Sequence, residues 1–409
     1  MVERGNKIRI LIHGMNYAPE MLGVGRYTGD LGRHLAGLGN HVEVVTAPPH
    51  YPGWHVWTGF RAGWYSREKL HGADVFRCPL LLRSRMAGIW RLLAPLSFAA
   101  SAGPVLLWRS LRSRPDVILC VEPSLFSAPA ALLAGWLTRA RTVLHIQDLE
   151  IDAAFAVGHL KRRWLQRLAE KFERACLKRF DTIVTISNQM RGKILEKGVD
   201  EMRLRVIRNW VDLAKIRFVD GPNGYRRTLG IPGEAFVVLY SGNVGLKQAL
   251  HILLDAARHL ADRPDVVFVI SGDGPEKAGL ERRYAMLENL FFLPTQPEEK
   301  LCELLNLADL HVIPQDAKAA DLVLPSKLGG ILASGRPVAI TADPGTELHT
   351  FMTDAALIVP AGDSRALATA IRTAATARHP VPDEAYRHLL GLLDSRSNLA
   401  AFEAVLRAS

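Results

Sequence analysis

The stretch of this 409-residue chain best suited to chemistry is Ser241-Gly242-Asn243-Val244-Gly245-Leu246-Lys247. It follows the β-branched run Phe236–Tyr240 and precedes the amphipathic run Lys247–Leu260, so the order predicted is strand, glycine loop, helix. Lys247 then falls at the start of a helix, where the dipole disfavours a cation. Two readings follow. Either an anion such as a diphosphate shares the spot and is held by the lysine and the loop amides, or the lysine is solvated. A second loop, Ser271-Gly272-Asp273-Gly274-Pro275, follows another apolar run and is suited to approach a base or ribose. Near the start, His13-Gly14-Met15-Asn16-Tyr17-Ala18-Pro19-Glu20 ends a strand, and Gly23-Val24-Gly25 opens a helix. Glycines admit a ligand close to the backbone, and a helix N-terminus favours an anion. About nine residues separate this strand from the glycines. In a dinucleotide fingerprint the glycines follow the strand directly, so a nicotinamide-binding site is set aside.

These loops must be held by strands. Ile8–His13, Val42–Thr46, Val117–Val121, Val143–Gln147 and Thr182–Ile186 read as buried strands, with helices at Val24–Leu38, Ser124–Leu137, Leu160–Arg179 and Asn188–Lys197. The pattern restarts at Phe236, with further strands at Val266–Ser271, Leu290–Leu293, Leu310–Ile313 and Val338–Thr341. Strand–helix alternation predicts parallel sheets covered on both faces, hence two doubly wound α/β domains. The expected division is 1–206, a linker over 207–224, a second domain over 225–383, and a final helix over 384–409 returning to the first. Ligands of such sheets bind outside the carboxyl ends of the strands, which places the expected site in a central cleft between the domains.

Composition is that of a globular protein, with 48% hydrophobic and 22% charged residues. The net charge of +10 is uneven: residues 1–205 carry 30 Lys and Arg against 17 Asp and Glu, and the remainder 21 against 24. A basic first half suits an anionic surface or ligand. Ala87–Trp108 has the length of a membrane span, but contains Arg91, Pro95 and Pro104. Two readings stand, a buried crossover helix or an amphipathic helix lying on an anionic leaflet. The run from Lys161 to Arg179, basic and carrying Trp164, also suits a headgroup interface. Cys78, Cys120, Cys176 and Cys302 are too dispersed for a zinc or redox pair and read as buried thiols in a reducing compartment. The apolar run at Ile8–Ile12 is too short for a signal peptide, so the expected location is cytoplasmic, peripheral to the inner face of the membrane.

The segments Asn16–Glu20, Gly23-Val24-Gly25-Arg26-Tyr27-Thr28, Ala47-Pro48-Pro49-His50-Tyr51-Pro52, Gln147-Asp148-Leu149, Arg208–Asp212, Ser241–Lys247, Pro325-Ser326-Lys327-Leu328 and Ala333-Ser334-Gly335-Arg336-Pro337-Val338 recur in one order. Together they resemble glycosyltransferase family 4, retaining enzymes of the GT-B fold, and within it the colanic-acid and O-antigen biosynthesis subgroup. The resemblance implies a donor site comprising Gly23, Gly25, Arg26, Gly242, Asn243, Lys247, Gly272, Ser326 and Lys327. The donor is a nucleotide-diphosphate sugar, UDP- or GDP-linked, with a 6-deoxy sugar such as fucose or N-acetylfucosamine the first guess. It is a substrate, so no cofactor is implied. The acceptor is a polyprenyl-diphosphate-linked glycan; no nucleic acid takes part. Lys247, the loop amides and a helix N-terminus would stabilise the departing diphosphate without a metal, there being no Asp-x-Asp motif at a strand end. Asp148 is the carboxylate suited to orient or partly deprotonate the acceptor hydroxyl, or else a structural aspartate.

The chain also departs from the family. Asn243 stands where many members carry arginine, and Gln147 where many carry histidine. The family's paired glutamates fall near Leu322 and Gly330, neither acidic, leaving Asp321 and Glu347 as stand-ins for the ribose carboxylate. The competing readings are a GT-B homologue that binds glycan or membrane without turnover, and a nucleotide-sugar epimerase.

Overall fold

The computed structural model describes residues 7–83, 90–123, 125–149, 163–315, 324–377 and 383–408. The chain divides into two compact units, Met1–Arg208 with Leu399–Ser409, and Asn209–Asn398.

Among the described residues, the first unit holds an eight-stranded sheet. Its strands are β1 (Arg9–Gly14), β2 (His41–Thr46), β3 (Ser66–Leu70), β4 (Ala73–Arg77), β5 (Val117–Glu122), β6 (Arg141–Ile146), β7 (Thr182–Thr185) and β8 (Leu204–Val206), in the order β3-β4-β2-β1-β5-β6-β7-β8. All neighbours are parallel except the β3–β4 hairpin at the edge. The central strands are apolar runs buried along their length, as sheets covered on both faces require. Helices α1 (Gly23–Gly37), α2 (Trp90–Ser113), α3 (Ala128–Thr138), α4 (Arg163–Leu177) and α5 (Asn188–Glu196) provide the cover. Ser187 caps α5 as expected, accepting from the Met190 amide.

The segment read as either a buried crossover or a membrane-surface helix is α2, which crosses from β4 to β5. It buries Ala94, Phe98, Ala102 and Leu106, one residue per turn along a single stripe. Pro95 and Pro104 lie inside it without ending it. Among the described residues no helix is long and apolar enough to cross a membrane.

The second unit carries β9 (Phe236–Ser241), β10 (Val266–Ser271), β11 (Leu290–Leu293), β12 (Leu310–Ile313), β13 (Val338–Thr341) and β14 (Leu357–Val359), all parallel, in the order β11-β10-β9-β12-β13-β14. Its helices are α6 (Gly224–Thr228), α7 (Leu250–His259), α8 (Lys277–Arg283), α9 (Glu298–Leu305), α10 (Leu328–Ala333), α11 (Glu347–Met352), α12 (Ser364–Ala377) and α13 (Asp383–Leu393). Strand order reverses at β1 in one sheet and at β9 in the other, giving two Rossmann-like units, each with a crevice at the carboxyl ends of its strands.

Three local expectations change. The stretch 207–224 is not a loose linker, since Val211 and Ile216 are buried in the second unit's core. The single final helix is two. Asp394 makes a bridge with Val211 between α13 and α14 (Ser395–Arg407). Tyr386, Leu389 and Leu393 of α13 pack into the second unit. The end of α14 belongs to the first, where Phe402 meets His145 edge-on at 4.8 Å and Arg141 donates to the Val405 carbonyl. Finally, the helix expected from Lys247 starts at Leu250. A 3-10 turn over Leu246–Gln248 precedes it, and Ala249 between them is left-handed, with φ 47°.

Candidate functional site

In the second unit the two glycine loops lie against each other at the ends of adjacent strands. The Gly242 amide donates to the Ser271 carbonyl at 2.9 Å, the Val244 amide to Asp273 at 2.9 Å, and the Glu276 amide to Val244 at 3.1 Å. Gly272 has φ +150°, and a Cβ there would lie 1.8 Å from the Gly242 carbonyl oxygen; one on Gly274 would lie 2.2 Å from that of Val244. Both positions exclude a side chain because the neighbouring loop already fills the space.

Tyr240, fully buried, donates its hydroxyl to the Asn243 carbonyl at 2.6 Å and so ties the first loop to β9. The Lys327 ammonium sits over its ring, 3.6 Å from the centroid, a cation–π geometry. A Cβ on Gly242 would come within 3.0 Å of that nitrogen, so the glycine makes room for the lysine. Desolvation lowers the Lys327 ammonium to about 7, because burial disfavours the charged form. No carboxylate pairs with it among the described residues. Ser326, just before it, is exposed, and Asn243 is exposed with its amide on Gln248. Gly242, Asn243, Gly272 and Lys327 thus cluster. Lys247 follows the loop, but its backbone lies in the 3-10 turn rather than at a helix start, so the dipole argument for an anion there does not hold.

Of the stand-in carboxylates, Asp321 and the Leu322 position lie outside the described residues. A side chain at Gly330 would start against Leu305 and Ile216 of the apolar core. Glu347 is buried at the first position of α11, a placement the helix dipole favours.

In the first unit, Gly23 opens α1 with φ +59°, and the Tyr51 ring lies 3.3 Å from where its Cβ would be. Leu22 precedes it and offers no side-chain cap. Gly25 has a packing reason of its own, since a Cβ there would meet Glu20 Oε2 at 2.5 Å. That buried carboxylate accepts from Asn16 Nδ2 at 2.9 Å and from the His50 and Tyr51 amides at 2.8 and 2.9 Å. Arg77 is also buried. Its guanidinium donates to the Ala18 carbonyl at 2.7 Å, the Ala47 carbonyl at 3.0 Å and Glu68 Oε1 at 2.5 Å. Glu20 and Arg77 therefore fasten the loop after β1 to the loop after β2. Arg26 is half-buried beside Tyr27. Asp148 is exposed just past β6, on the same edge of the sheet as Gly23. Cys78, Cys120 and Cys176 are buried free thiols whose titration burial pushes up. Cys302 is partly exposed.

Comparison with known proteins places the chain in a family. The model of the glycosyl transferase 4-like domain matches residues 23–210, and that of glycosyl transferases group 1 matches 235–376. WcaI of Escherichia coli (strain K12), by name a colanic acid biosynthesis glycosyl transferase, is 42% identical over 349 residues, covering 83% of this chain and 85% of that one. The chain belongs to glycosyltransferase family 4. The fold of this family-4 glycosyltransferase is that of solved GT-B enzymes. Sucrose-phosphate synthase from Thermosynechococcus elongatus superposes with a TM-score of 0.74 at 17% identity, over 98% of each chain. Anabaena HepE, solved with UDP-glucose, gives 0.68 at 15% identity, over 98% of this chain and 99% of that one. The two matched domains fall on the two Rossmann-like units, and the Gly242–Gly272–Lys327 cluster lies wholly within the second.

Proposed function

We propose that this glycosyltransferase moves a sugar from a UDP- or GDP-linked donor to a lipid-diphosphate-linked glycan in exopolysaccharide assembly at the cytoplasmic face of a membrane. The observation that carries the donor half is Lys327: a desolvated cation over an aromatic ring, without a carboxylate partner among the described residues, beside two glycine loops. Such a cation is stabilised by a bound anion, and a diphosphate matches it in charge. That HepE was solved with UDP-glucose supports a nucleotide sugar as donor, and the name of WcaI supports polysaccharide assembly.

In this reading the bond from the anomeric carbon to the diphosphate breaks, and the leaving oxygen takes up charge. Lys327, Lys247 and the amides of the Gly242 loop stabilise that charge. The acceptor hydroxyl attacks on the face the diphosphate leaves, so configuration is retained, and its proton passes to the departing diphosphate. Asp148 orients that hydroxyl. The apolar surroundings of Gly330 favour one second reading, a homologue that binds without turnover, because the ribose carboxylate is missing there.

Incubating UDP- and GDP-sugars with a polyprenyl-diphosphate-linked acceptor decides between the two. Release of nucleotide with a new glycosidic product supports transfer, and the anomeric coupling constant of that product reads the stereochemistry. A donor that raises the melting temperature but is never consumed selects the binding module.

A further inference from the structure

Helices α2, α3 and α4 lie side by side on one face of the first unit's sheet. The crossovers β4 to β5, β5 to β6 and β6 to β7 all step in the same direction along it, and right-handed crossovers then put their helices on one face. Phe126, just before α3, stacks on Phe172 of α4. The opposite face is taken by α1 and α14, joined by Arg407 to Asn40.

The outward side of this three-helix layer carries large apolar side chains among cations. On α3 the inward residues are Ala128, Ala131, Ala134 and Gly135, while Leu133, Trp136 and Leu137 face out, Trp136 being 77% exposed. A helix serving only its own core would bury the large side chains and expose the small ones. Trp108 and Leu111 of α2, and Trp164 and Leu168 of α4, are more than half exposed as well. Interleaved with them are exposed cations: Arg112 and Arg114 at the end of α2, Arg139 after α3, and Arg167 and Arg174 on α4.

We propose that this face docks on an anionic lipid bilayer, with Trp108, Trp136 and Trp164 entering the headgroup layer. Tryptophan and arginine together match a boundary where apolar chains meet phosphates. The arginines choose between occupants. A second copy of the chain would set like charge against like charge across a symmetric interface, whereas anionic headgroups complement them. The inference rests on the reading of a lipid-linked acceptor, whose reactive sugar sits at such a surface.

Co-sedimentation of the full chain with phosphatidylcholine vesicles, with and without phosphatidylglycerol, tests it. The wild type is expected on the anionic vesicles, less so at high salt. The exposed double substitution Leu133→Ser with Trp136→Ser should weaken partitioning about tenfold. Met286→Ser, exposed in the second unit, should change nothing. Equal recovery on neutral and anionic vesicles, recovery on neither, or full binding by the double variant would overturn the proposal. So would a wild-type dimer that the double variant converts to monomer while neither binds vesicles. Transfer to a detergent-dispersed short-chain acceptor is measured in parallel. Vesicle binding without transfer leaves this surface standing and removes the functional reading instead.

Discussion

The ammonium of Lys327 lies 3.6 Å from the centre of the Tyr240 ring, and a Cβ on Gly242 would come within 3.0 Å of it. Two segments far apart in sequence, the end of β9 with its loop and the start of α10, thus meet around one cation.

Replacing that cation separates binding from stability. Lys327→Met removes a desolvated charge and leaves a side chain of similar length, so the donor-free protein should melt at the same temperature or higher. Nucleotide affinity should fall by roughly 1.5–3 kcal/mol, the worth of a hydrogen bond to a charged group, or about tenfold to a hundredfold. Calorimetric titration with UDP and GDP checks both halves, and unchanged affinity counts against Lys327 as a phosphate ligand.

The lowered Lys327 pKa, about 7 against an ordinary 10.5, fixes a pH signature. Between these values the unfolded chain binds the proton and the folded chain does not, so this group makes stability rise with pH across that window. A bound diphosphate draws the pKa back up. Nucleotide binding near pH 8 should therefore take up a proton, and affinity should fall as pH rises. Titration in buffers of different ionisation heat reads the uptake directly; proton release would have the wrong sign.

Gly272→Ala drives a methyl group into the Gly242 carbonyl at a φ of +150°. The loops must separate, at a cost of at least ~2 kcal/mol. Both melting temperature and nucleotide affinity should drop. Gly279→Ala, which meets open space on α8, is the matched control and should leave both unchanged.

Glu20→Ala orphans the His50 and Tyr51 amides and should destabilise the first unit by about 1–3 kcal/mol. If Gly25 is small partly to admit this carboxylate, then Gly25→Ala should cost more in the wild type than in the Glu20→Ala background, where the contact with Oε2 at 2.5 Å is gone while that with the residue-20 Cβ at 2.7 Å stays. Denaturant midpoints of the four proteins form the cycle; additive losses would mean that the two positions act independently.

The central strands of both sheets were legible from the sequence because parallel strands buried on two faces read as unbroken apolar runs, as in Val117–Glu122 and Val266–Ser271, whereas the short outer strands β8 and β14 were not. The β3–β4 hairpin was not, since Ser66–Leu70 is a polar, largely exposed edge strand with no apolar face to signal it. The two glycine loops were recognisable as the turns that follow β9 and β10. That Gly272 and Gly274 are needed for the loops to touch one another appears only in three dimensions.

Lys247 was the cation sequence reasoning favoured. It lies in a 3-10 turn because Ala249, a residue with no preference for positive φ, takes the left-handed conformation and delays the helix. Tyr240 and Lys327 share no local pattern, so the tyrosine's part could not be anticipated. Glu20 was visible in its motif, but not its role, because its partners His50 and Tyr51 come from another loop. The break at Asp394 likewise depends on pairing with Val211, a distant residue.

The most direct test of a donor diphosphate held by the second unit's loops is kcat/KM for nucleotide release in the presence of acceptor, comparing wild type, Lys247→Ala and Lys327→Met. Each lysine that contacts the leaving diphosphate should cost about tenfold to a hundredfold, with both variants folded and still titrating UDP or GDP weakly. Wild-type kcat/KM in Lys327→Met would contradict the account.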